Sequence, residues 1–246
     1  MVIYVTPFIF LTDIQKELSM LLEKVYLHSD PPSYGHICKR INKLNIDIND
    51  PDRKDDDDDK YIIIAVDSTG IKVTNRGQWM DEKWNVQRKG YFKIHVDVNI
   101  KTKEILALEV TNEKVHDGRM LTKLVNHVLD NHTTKIQSVL LADGAHDTNR
   151  NFRYLEENEI TPGIKVRKIY VISIRNNRLR NREVRLQTKD LLKLKMKRKY
   201  GHRWIAETAF STIKKIFGEY VSATRFQNMV NEMMIKISLY NLFRRL

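Results

Sequence analysis

The sequence contains a single cysteine, Cys38, among its 246 residues. One thiol cannot form a disulfide within the chain, and it cannot supply the thiolates of a cysteine zinc site. The lack of a second cysteine therefore excludes both features and fits a reducing, cytoplasmic setting.

Long apolar runs are also absent. No stretch approaches the roughly 18 to 20 consecutive apolar residues that a membrane-spanning helix needs. The opening MVIYVTPFIF is apolar, but it lacks a basic leader and is followed by Thr12 and Asp13, so it is a poor signal peptide. We therefore expect no membrane partner and no secretion.

Positive charge is what the chain has in excess. Its 43 Lys and Arg residues outnumber 31 Asp and Glu residues, which gives a net charge of +12 and an isoelectric point near 9.6. The basic residues are spread through the sequence, and this favours a polyanionic partner, most simply double-stranded DNA. An apolar content of 41% is enough to build one substantial domain with a small extension.

The sharpest change of composition is NDPDRKDDDDDK, residues 49–60. A block of like charges such as Asp55–Asp59 repels itself and stays solvated, which predicts a linker; a loose metal trap is the alternative. We therefore divide the chain into a partly helical N-terminal segment (1–48), an acidic linker (49–60) and one domain (61–246).

Strand and helix patterns are mixed in this domain. Strands are predicted at 61–67, 91–100, 104–111, within 136–147 and at 161–168, with helices at 118–132, at 150–159 and through most of the chain after Leu179. This mixture predicts an α/β fold. Two of the strands end on acids, Asp67 and Asp143, and the carboxyl ends of strands are where α/β sheets carry functional clefts. Each aspartate could also merely cap the turn that follows it.

A late helix-like segment, YGHRWIAETAFSTIKK (200–215), places four polar residues on one stripe. At about 100° per residue, the following four lie within about 60° of one another: Tyr200, Arg203, Glu207 and Lys214. The apolar residues lie on the opposite side, so the stripe faces a cleft or solvent. The spacing alone leaves an ordinary solvated charged face as the alternative.

The three acids Asp67, Asp143 and Glu207 together suggest a metal site. Carboxylates brought together repel one another unless a cation joins them, and oxygen ligands suit Mg²⁺ or Mn²⁺. Two such ions can activate an attacking hydroxyl and stabilise the leaving oxygen of a phosphodiester. Arg203 and Lys214 would then bind phosphate groups.

Three motifs in this order, AVDSTG, LADGAHD and Y-x2-R-x3-E-x6-K, resemble the DDE transposases of prokaryotic insertion sequences, in the group four and five branch. KGYFKIHVDVN and VHDGRML add to the resemblance, which covers roughly residues 61 to 246. It implies a ribonuclease-H-like fold, in which a five-stranded mixed sheet carries the two aspartates and a following helix supplies the glutamate.

The resemblance also implies a function. Such enzymes bind the terminal inverted repeats of their own element, hydrolyse the phosphodiester at the 3′ end and join the freed 3′-hydroxyl to target DNA. The catalytic residues and metal ligands would be Asp67, Asp143 and Glu207, holding two Mg²⁺ or Mn²⁺ ions. The residues in contact with DNA would be Tyr200, Arg203 and Lys214, with Trp204 at the edge of the stripe as a further candidate. A homodimer on DNA is expected.

Several residues outside these motifs have open roles. His116 and Asp117 resemble a family feature, with either a role near the site or an ordinary local hydrogen bond. His146 stands where relatives usually carry Tyr, and His95 is expected to be structural or to face DNA. Trp79 and Trp84 either stack on unpaired bases or close the core.

Two kinds of surface are predicted from the remaining sequence. The basic runs RNNRLRNREVR and KLKMKRKY are expected to contact phosphates without reading bases. The C-terminal MVNEMMIKISLYNLF is expected to form a helix that lies in the core or at a dimer contact.

The resemblance fails at the N-terminus. Relatives carry a longer, usually helical region there, and only DPPSYGHICKRINKLNIDI (30–48) looks like its end. Another frame of the codons for LTDIQKELSML permits a family-like peptide, so we hypothesise that residues 1 to about 24 are a frameshifted remnant. The chain is then either a competent transposase or a truncated, transposition-defective DNA-binding remnant that could inhibit the full-length enzyme.

Overall fold

The computed structural model describes residues 33–41, 43, 48, 62–73, 91–131, 139–167, 172, 177–189, 199–223 and 225–245. The predictions for the frameshifted remnant, the acidic linker, Trp79, Trp84 and most of KLKMKRKY lie outside these residues. One helix, α1 (Tyr34–Ile41), is described in the N-terminal segment. None of the helices in the described ranges is long and apolar enough to cross a bilayer.

A mixed sheet forms the centre of the described structure. Its strands are β1 (Ile64–Val73), β2 (Tyr91–Asn99), β3 (Ile105–Asn112), β4 (Val139–Ala142), β5 (Thr161–Ile164) and the two-residue β6 (Tyr220–Val221). Their order is β3-β2-β1-β4-β5, and β6 pairs with the far end of β1. Strands β1 to β3 are antiparallel neighbours, whereas β4 and β5 run parallel to β1. This is the expected ribonuclease-H-like α/β arrangement, with β6 added to the five strands.

Helices cover both faces of this sheet. They are α2 (Leu121–Asn131), α3 (Asn149–Glu157), α4 (Arg178–Lys189), α5 (Trp204–Phe217) and α6 (Phe226–Arg245). One core contains Leu124 of α2 and Phe152 of α3, and the other contains Phe210 of α5 and Ile237 of α6. Three short 3₁₀ helices span Asp117–Arg119, Gly144–His146 and Tyr200–Arg203.

Burial on both faces explains the continuous apolar run at the start of β1. Ala65 belongs to the core under α5 and α6, while its neighbours Ile64 and Val66 belong to the core under α2 and α3. Successive side chains of a strand point to opposite faces, so a central strand with two covered faces needs apolar residues at every position.

Strand β1 is longer than the sequence predicts. The apolar run indicates a strand that ends at Asp67, but β1 continues to Val73 because its ladder with β2 extends to the pair Lys72 and Tyr91. Ile71, beyond the acid, is buried in the core and favours this extension. What does end near Asp67 is the pairing with β4, so the acid still lies at an opening in the sheet.

The segment predicted as one helix over 200–215 consists of two elements. Tyr200–Arg203 form a 3₁₀ helix that follows Lys199 in the left-handed region (φ 53°), and α5 begins at Trp204. Residues i and i+3 of a 3₁₀ helix are eclipsed, so Tyr200 and Arg203 still share one side. The apolar side of α5 is buried, as its pattern predicts.

Candidate active site

Asp67 and Asp143 lie beside each other at the carboxyl end of β4. The parallel ladder aligns Ala65 with Leu141, and the same register two residues further on places the two acids next to each other. Leu141 belongs to the core under α5 and α6. Val96, which is the cross-strand partner of Asp67, belongs to the same core. Both acids therefore lie on the face of the sheet that α5 covers.

The turn after β4 holds the carboxylate of Asp143. Its Oδ1 accepts hydrogen bonds from the backbone N–H of Ala145 and from Nδ1 of His146, both at 2.9 Å. The side chain of His146 is only 3% exposed, whereas that of Asp143 is 46% exposed. The hydrogen bond from His146 lowers the pKa of Asp143 below its ordinary value, against the opposing effect of burial. Asp143 is therefore an oriented carboxylate at neutral pH.

Asp67 has a different electrostatic environment. Burial raises its pKa above the ordinary value of 3.8, and the charges of Asp143 and Glu207 raise the pKa further. The backbone N–H of Ser68, at 2.9 Å from Oδ1, and the charge of Arg203 act in the opposite direction. Asp143 and Glu207 are thus close enough for their charges to influence Asp67.

Arg203 connects two of these acids. Its Nη2 donates to Oε1 of Glu207, and its Nη1 donates to Oδ2 of Asp67 at 3.4 Å. The side chain of Glu207 is 54% exposed, whereas those of Arg203 and Asp67 are 24% and 18% exposed. The guanidinium is therefore a partly buried bridge from the start of α5 to the sheet.

The other residues of the polar stripe lie around this bridge. Tyr200 forms a hydrogen bond with Arg203, and burial raises the pKa of the Tyr200 hydroxyl. Nζ of Lys214 donates to Oγ1 of Thr69 at 2.9 Å, on the same face of β1 as Asp67. The residue Trp204 is 53% exposed at the first turn of α5. Thr69 was not predicted, although the period of two along β1 could have identified it.

The fit of this site to a divalent cation depends on its donor atoms. In the described ranges, no three His, Cys, Asp or Glu side chains are grouped closely enough to hold a metal ion. The guanidinium of Arg203 lies between Asp67 and Glu207. The donors themselves are three carboxylates, two beside the carboxyl end of β4 and one on α5, and such oxygen ligands suit Mg²⁺ or Mn²⁺. The donor chemistry therefore fits a divalent cation, whereas the described side chains are not grouped as a metal site.

A comparison with protein families decides the class of protein. The family model described as "Transposase DDE domain" matches residues 58–242. The chain belongs to this family. DDE transposases are enzymes that cut and join phosphodiester bonds, so the protein has a transposase role. The match concerns the domain as a whole, and membership of the group four and five branch stays a prediction.

Hydrogen bonds from α3 hold the turn of this transposase domain that carries Asp143. Nδ2 of Asn151 on α3 donates to the carbonyl oxygens of Gly118 and His146, at 2.9 and 3.0 Å. A Cβ on Gly118 would lie 2.5 Å from the carbonyl oxygen of Ala145, so only glycine permits this approach. The two short 3₁₀ helices are therefore joined through a buried amide.

A buried ion pair supports the same turn from α4. Asp147, whose side chain is 1% exposed, accepts from Nε and Nη2 of Arg180 at 2.7 and 3.0 Å and from the backbone N–H of Arg167 at 3.1 Å. The sequence does not single out Asp147 or predict this pairing. Its one signal is an acid next to a predicted site in a chain rich in arginine, which does not identify the partner.

His116, Asp117 and His95 lie beside this turn. Nδ1 of His116 accepts from the backbone N–H of Gly118 at 3.2 Å, which caps its own 3₁₀ helix. Asp117 accepts from Nζ of Lys93 at 3.1 Å and lies 3.7 Å from Nδ1 of His95. Burial lowers the pKa of His95 to about 4, and its Nε2 hydrogen-bonds with the hydroxyl of Thr111 at 2.8 Å. His95 is therefore a neutral, buried residue of the sheet.

Proposed function

We propose that this transposase domain binds the ends of an insertion sequence, hydrolyses the 3′ end of the element and transfers the freed strand into target DNA. The observation that carries the proposal is that Asp67 and Asp143 lie side by side at the carboxyl end of β4, while Arg203 bridges Asp67 to Glu207. Acids drawn from β1, from the turn after β4 and from α5 serve no evident purpose in the core, since they face the opening beside β4.

The three acids would be the ligands of two Mg²⁺ or Mn²⁺ ions. Bound there, the metal would polarise the scissile phosphate and activate water or the 3′-hydroxyl. The chain's own residues prepare the position: His146 orients Asp143, the Ser68 N–H holds one oxygen of Asp67, and α5 carries Glu207.

The basic and aromatic residues around the acids would bind the DNA backbone. Arg203 has the planar fork that suits a phosphate, and Lys214 is a point charge held toward β1 by Thr69. Tyr200, whose pKa is influenced by burial and by Arg203 and Asp143, and the exposed Trp204 at the start of α5 would add contacts to the DNA. The net charge of +12 favours a polyanionic partner, and a homodimer on DNA stays part of the proposal.

The test is divalent-metal-dependent nicking of an oligonucleotide duplex that carries the end of the element, identified from the DNA that flanks the gene. We expect Glu207→Gln to lose nicking by about two orders of magnitude or more, because one carboxylate ligand becomes a neutral amide of the same shape. The control is Glu113→Gln, which removes an exposed carboxylate after β3 and is expected to nick like the wild type.

Equal nicking by the wild type and Glu207→Gln would show that the proposed chemistry is wrong. If both proteins retard the duplex in a gel but neither nicks it, the transposition-defective DNA-binding remnant becomes the better description of the chain.

A further inference from the structure

We propose that Arg203 is an internal counter-ion, which occupies the cation position between Asp67 and Glu207 and must leave it before a divalent ion is held there. This inference rests on the proposed function, because it concerns how the same site is controlled. It gives Arg203 a role in the DNA-free protein that differs from a contact with DNA.

The guanidinium of Arg203 lies between two carboxylates. One terminal nitrogen of Arg203 binds the glutamate and the other binds the aspartate, so the cation joins acids from two separate elements. Its side chain is 24% exposed and therefore partly withdrawn from solvent. The charge of the side chain is therefore directed at the two carboxylates.

A divalent ion would need carboxylate oxygens of Asp67 that are already occupied by hydrogen bonds. Both oxygens of Asp67 already accept hydrogen bonds, Oδ1 from the backbone N–H of Ser68 and Oδ2 from Arg203. The Ser68 N–H belongs to the backbone of β1, whereas the arginine is a long side chain that can rotate. Removing Arg203 is therefore the change that makes Oδ2 of Asp67 and Oε1 of Glu207 available together.

A DNA phosphate can release Arg203 from the two acids. A guanidinium binds a phosphate through two parallel hydrogen bonds, and a DNA phosphate near the acids offers this in exchange for the two carboxylates. Phosphate binding by Arg203 then favours metal binding by the acids, and by linkage metal binding favours phosphate binding by the same amount. The site would hold its ions weakly without DNA and tightly with it.

The experiment is a calorimetric titration of the full chain with Mn²⁺ alone, without DNA. We compare the wild type with Arg203→Gln and with Lys214→Gln, which removes the same charge from the same stripe but contacts Thr69 rather than an acid. The expected result is an affinity for Mn²⁺ at least about fivefold higher for Arg203→Gln than for the wild type, with a smaller change for Lys214→Gln. Circular dichroism checks that each variant is folded.

A second variant separates geometry from charge. Arg203→Lys keeps the positive charge but cannot bridge two carboxylates with a fork, so it is expected to bind Mn²⁺ more tightly than the wild type and less tightly than Arg203→Gln. The inference is wrong if Arg203→Gln binds Mn²⁺ no better than Lys214→Gln, or if it shows no measurable binding. Because the titration contains no DNA, it can fail while Glu207-dependent nicking holds, and the reverse is also true.

Discussion

At the scale of single residues, Asp97 is the group whose environment is least expected. It lies on β2 between Val66 and Ala107 of the neighbouring strands, in the core under α2 and α3. The residue is fully buried, and within the described structure neither carboxyl oxygen has a hydrogen-bond partner. Burial therefore raises the pKa of Asp97 well above its ordinary value of 3.8.

We predict that Asp97→Ala stabilises the protein by about 1–3 kcal/mol at pH 7, the cost of burying a polar group without a partner. The folded state keeps the proton that the unfolded chain loses above pH 3.8, so rising pH lowers the stability of the wild type from about pH 4 up to the folded pKa. The advantage of Asp97→Ala should therefore grow with pH across this window, as measured by urea denaturation.

The control for this prediction is Asp97→Asn, which has the same shape and cannot ionise. It should lose the pH dependence but keep the cost of a buried amide, so its stability should lie below that of Asp97→Ala at every pH. Parallel pH profiles for the wild type and Asp97→Ala would contradict a neutral buried carboxyl.

The residue scale also shows how far the sequence can locate the site. The sequence predicts Asp67 and Asp143 as site residues because each follows an apolar strand, and Glu207 because it interrupts a basic stripe at helical spacing; the structure places the two aspartates side by side. The bridge from Arg203 to Asp67 was not predictable, since it joins residues 136 apart in sequence and depends on how α5 lies over β1. Asp97 was not singled out either, because in an alternating strand it looks like an ordinary solvent-facing position.

At the scale of elements, helices close both edges of the sheet with a buried amide. Oε1 of Gln187 on α4 accepts from the N–H of Val166 at 2.9 Å, and its Nε2 donates to the carbonyl of Ile164 at 2.8 Å. On the other edge, Asn241 of α6 pairs in the same way with both backbone groups of Ile105, at 2.9 and 2.8 Å. Each side-chain amide forms hydrogen bonds with backbone groups at an edge of the sheet that would otherwise be unpaired.

We predict that Gln187→Leu destabilises the protein by about 2–5 kcal/mol, because it leaves one buried N–H and one buried carbonyl without partners. The control, Thr188→Ala, changes an exposed residue of the same helix and should shift stability by no more than about 0.5 kcal/mol. Chemical denaturation measures the free energy of unfolding of both variants. Hydrogen exchange at the Val166 amide should accelerate in Gln187→Leu alone. Unchanged protection of that amide would contradict the role given to Gln187.

The sequence predicts the type of these elements better than their ends. The strand β1 runs six residues past Asp67 because β2 and β6 offer it partners, which no local pattern records. The segment at 200–215 divides into a 3₁₀ helix and α5, which begins at Trp204, and Gly201, a poor helix former, lies in the first part. Element ends depend on tertiary partners, whereas apolar periodicity reports only which faces are covered.

At the scale of the whole molecule, exposed arginines of α4 lie on a helix that is attached to the turn carrying Asp143. The ion pair between Arg180 and Asp147 fixes α4 to the Asp143 turn, so the exposed arginines of α4 are held at a constant distance from the site. They are Arg178, Arg182 and Arg185. At the opposite end of the sheet, three other basic residues lie around the turn between β2 and β3 and the end of α6: Lys101, Lys103 and Arg244.

We predict that changing Arg178, Arg182 and Arg185 together to Gln weakens the salt dependence of DNA binding. Each phosphate contact contributes about 0.9 to the slope of log K against log salt, so losing three should lower its magnitude by up to about 3. The matched control changes Lys101, Lys103 and Arg244 to Gln, which removes the same charge from a net of +12 but leaves the phosphate contacts intact. Titrations of a labelled duplex at several salt concentrations measure both slopes, and equal slopes for the two triple variants would mean that α4 does not lie on the DNA.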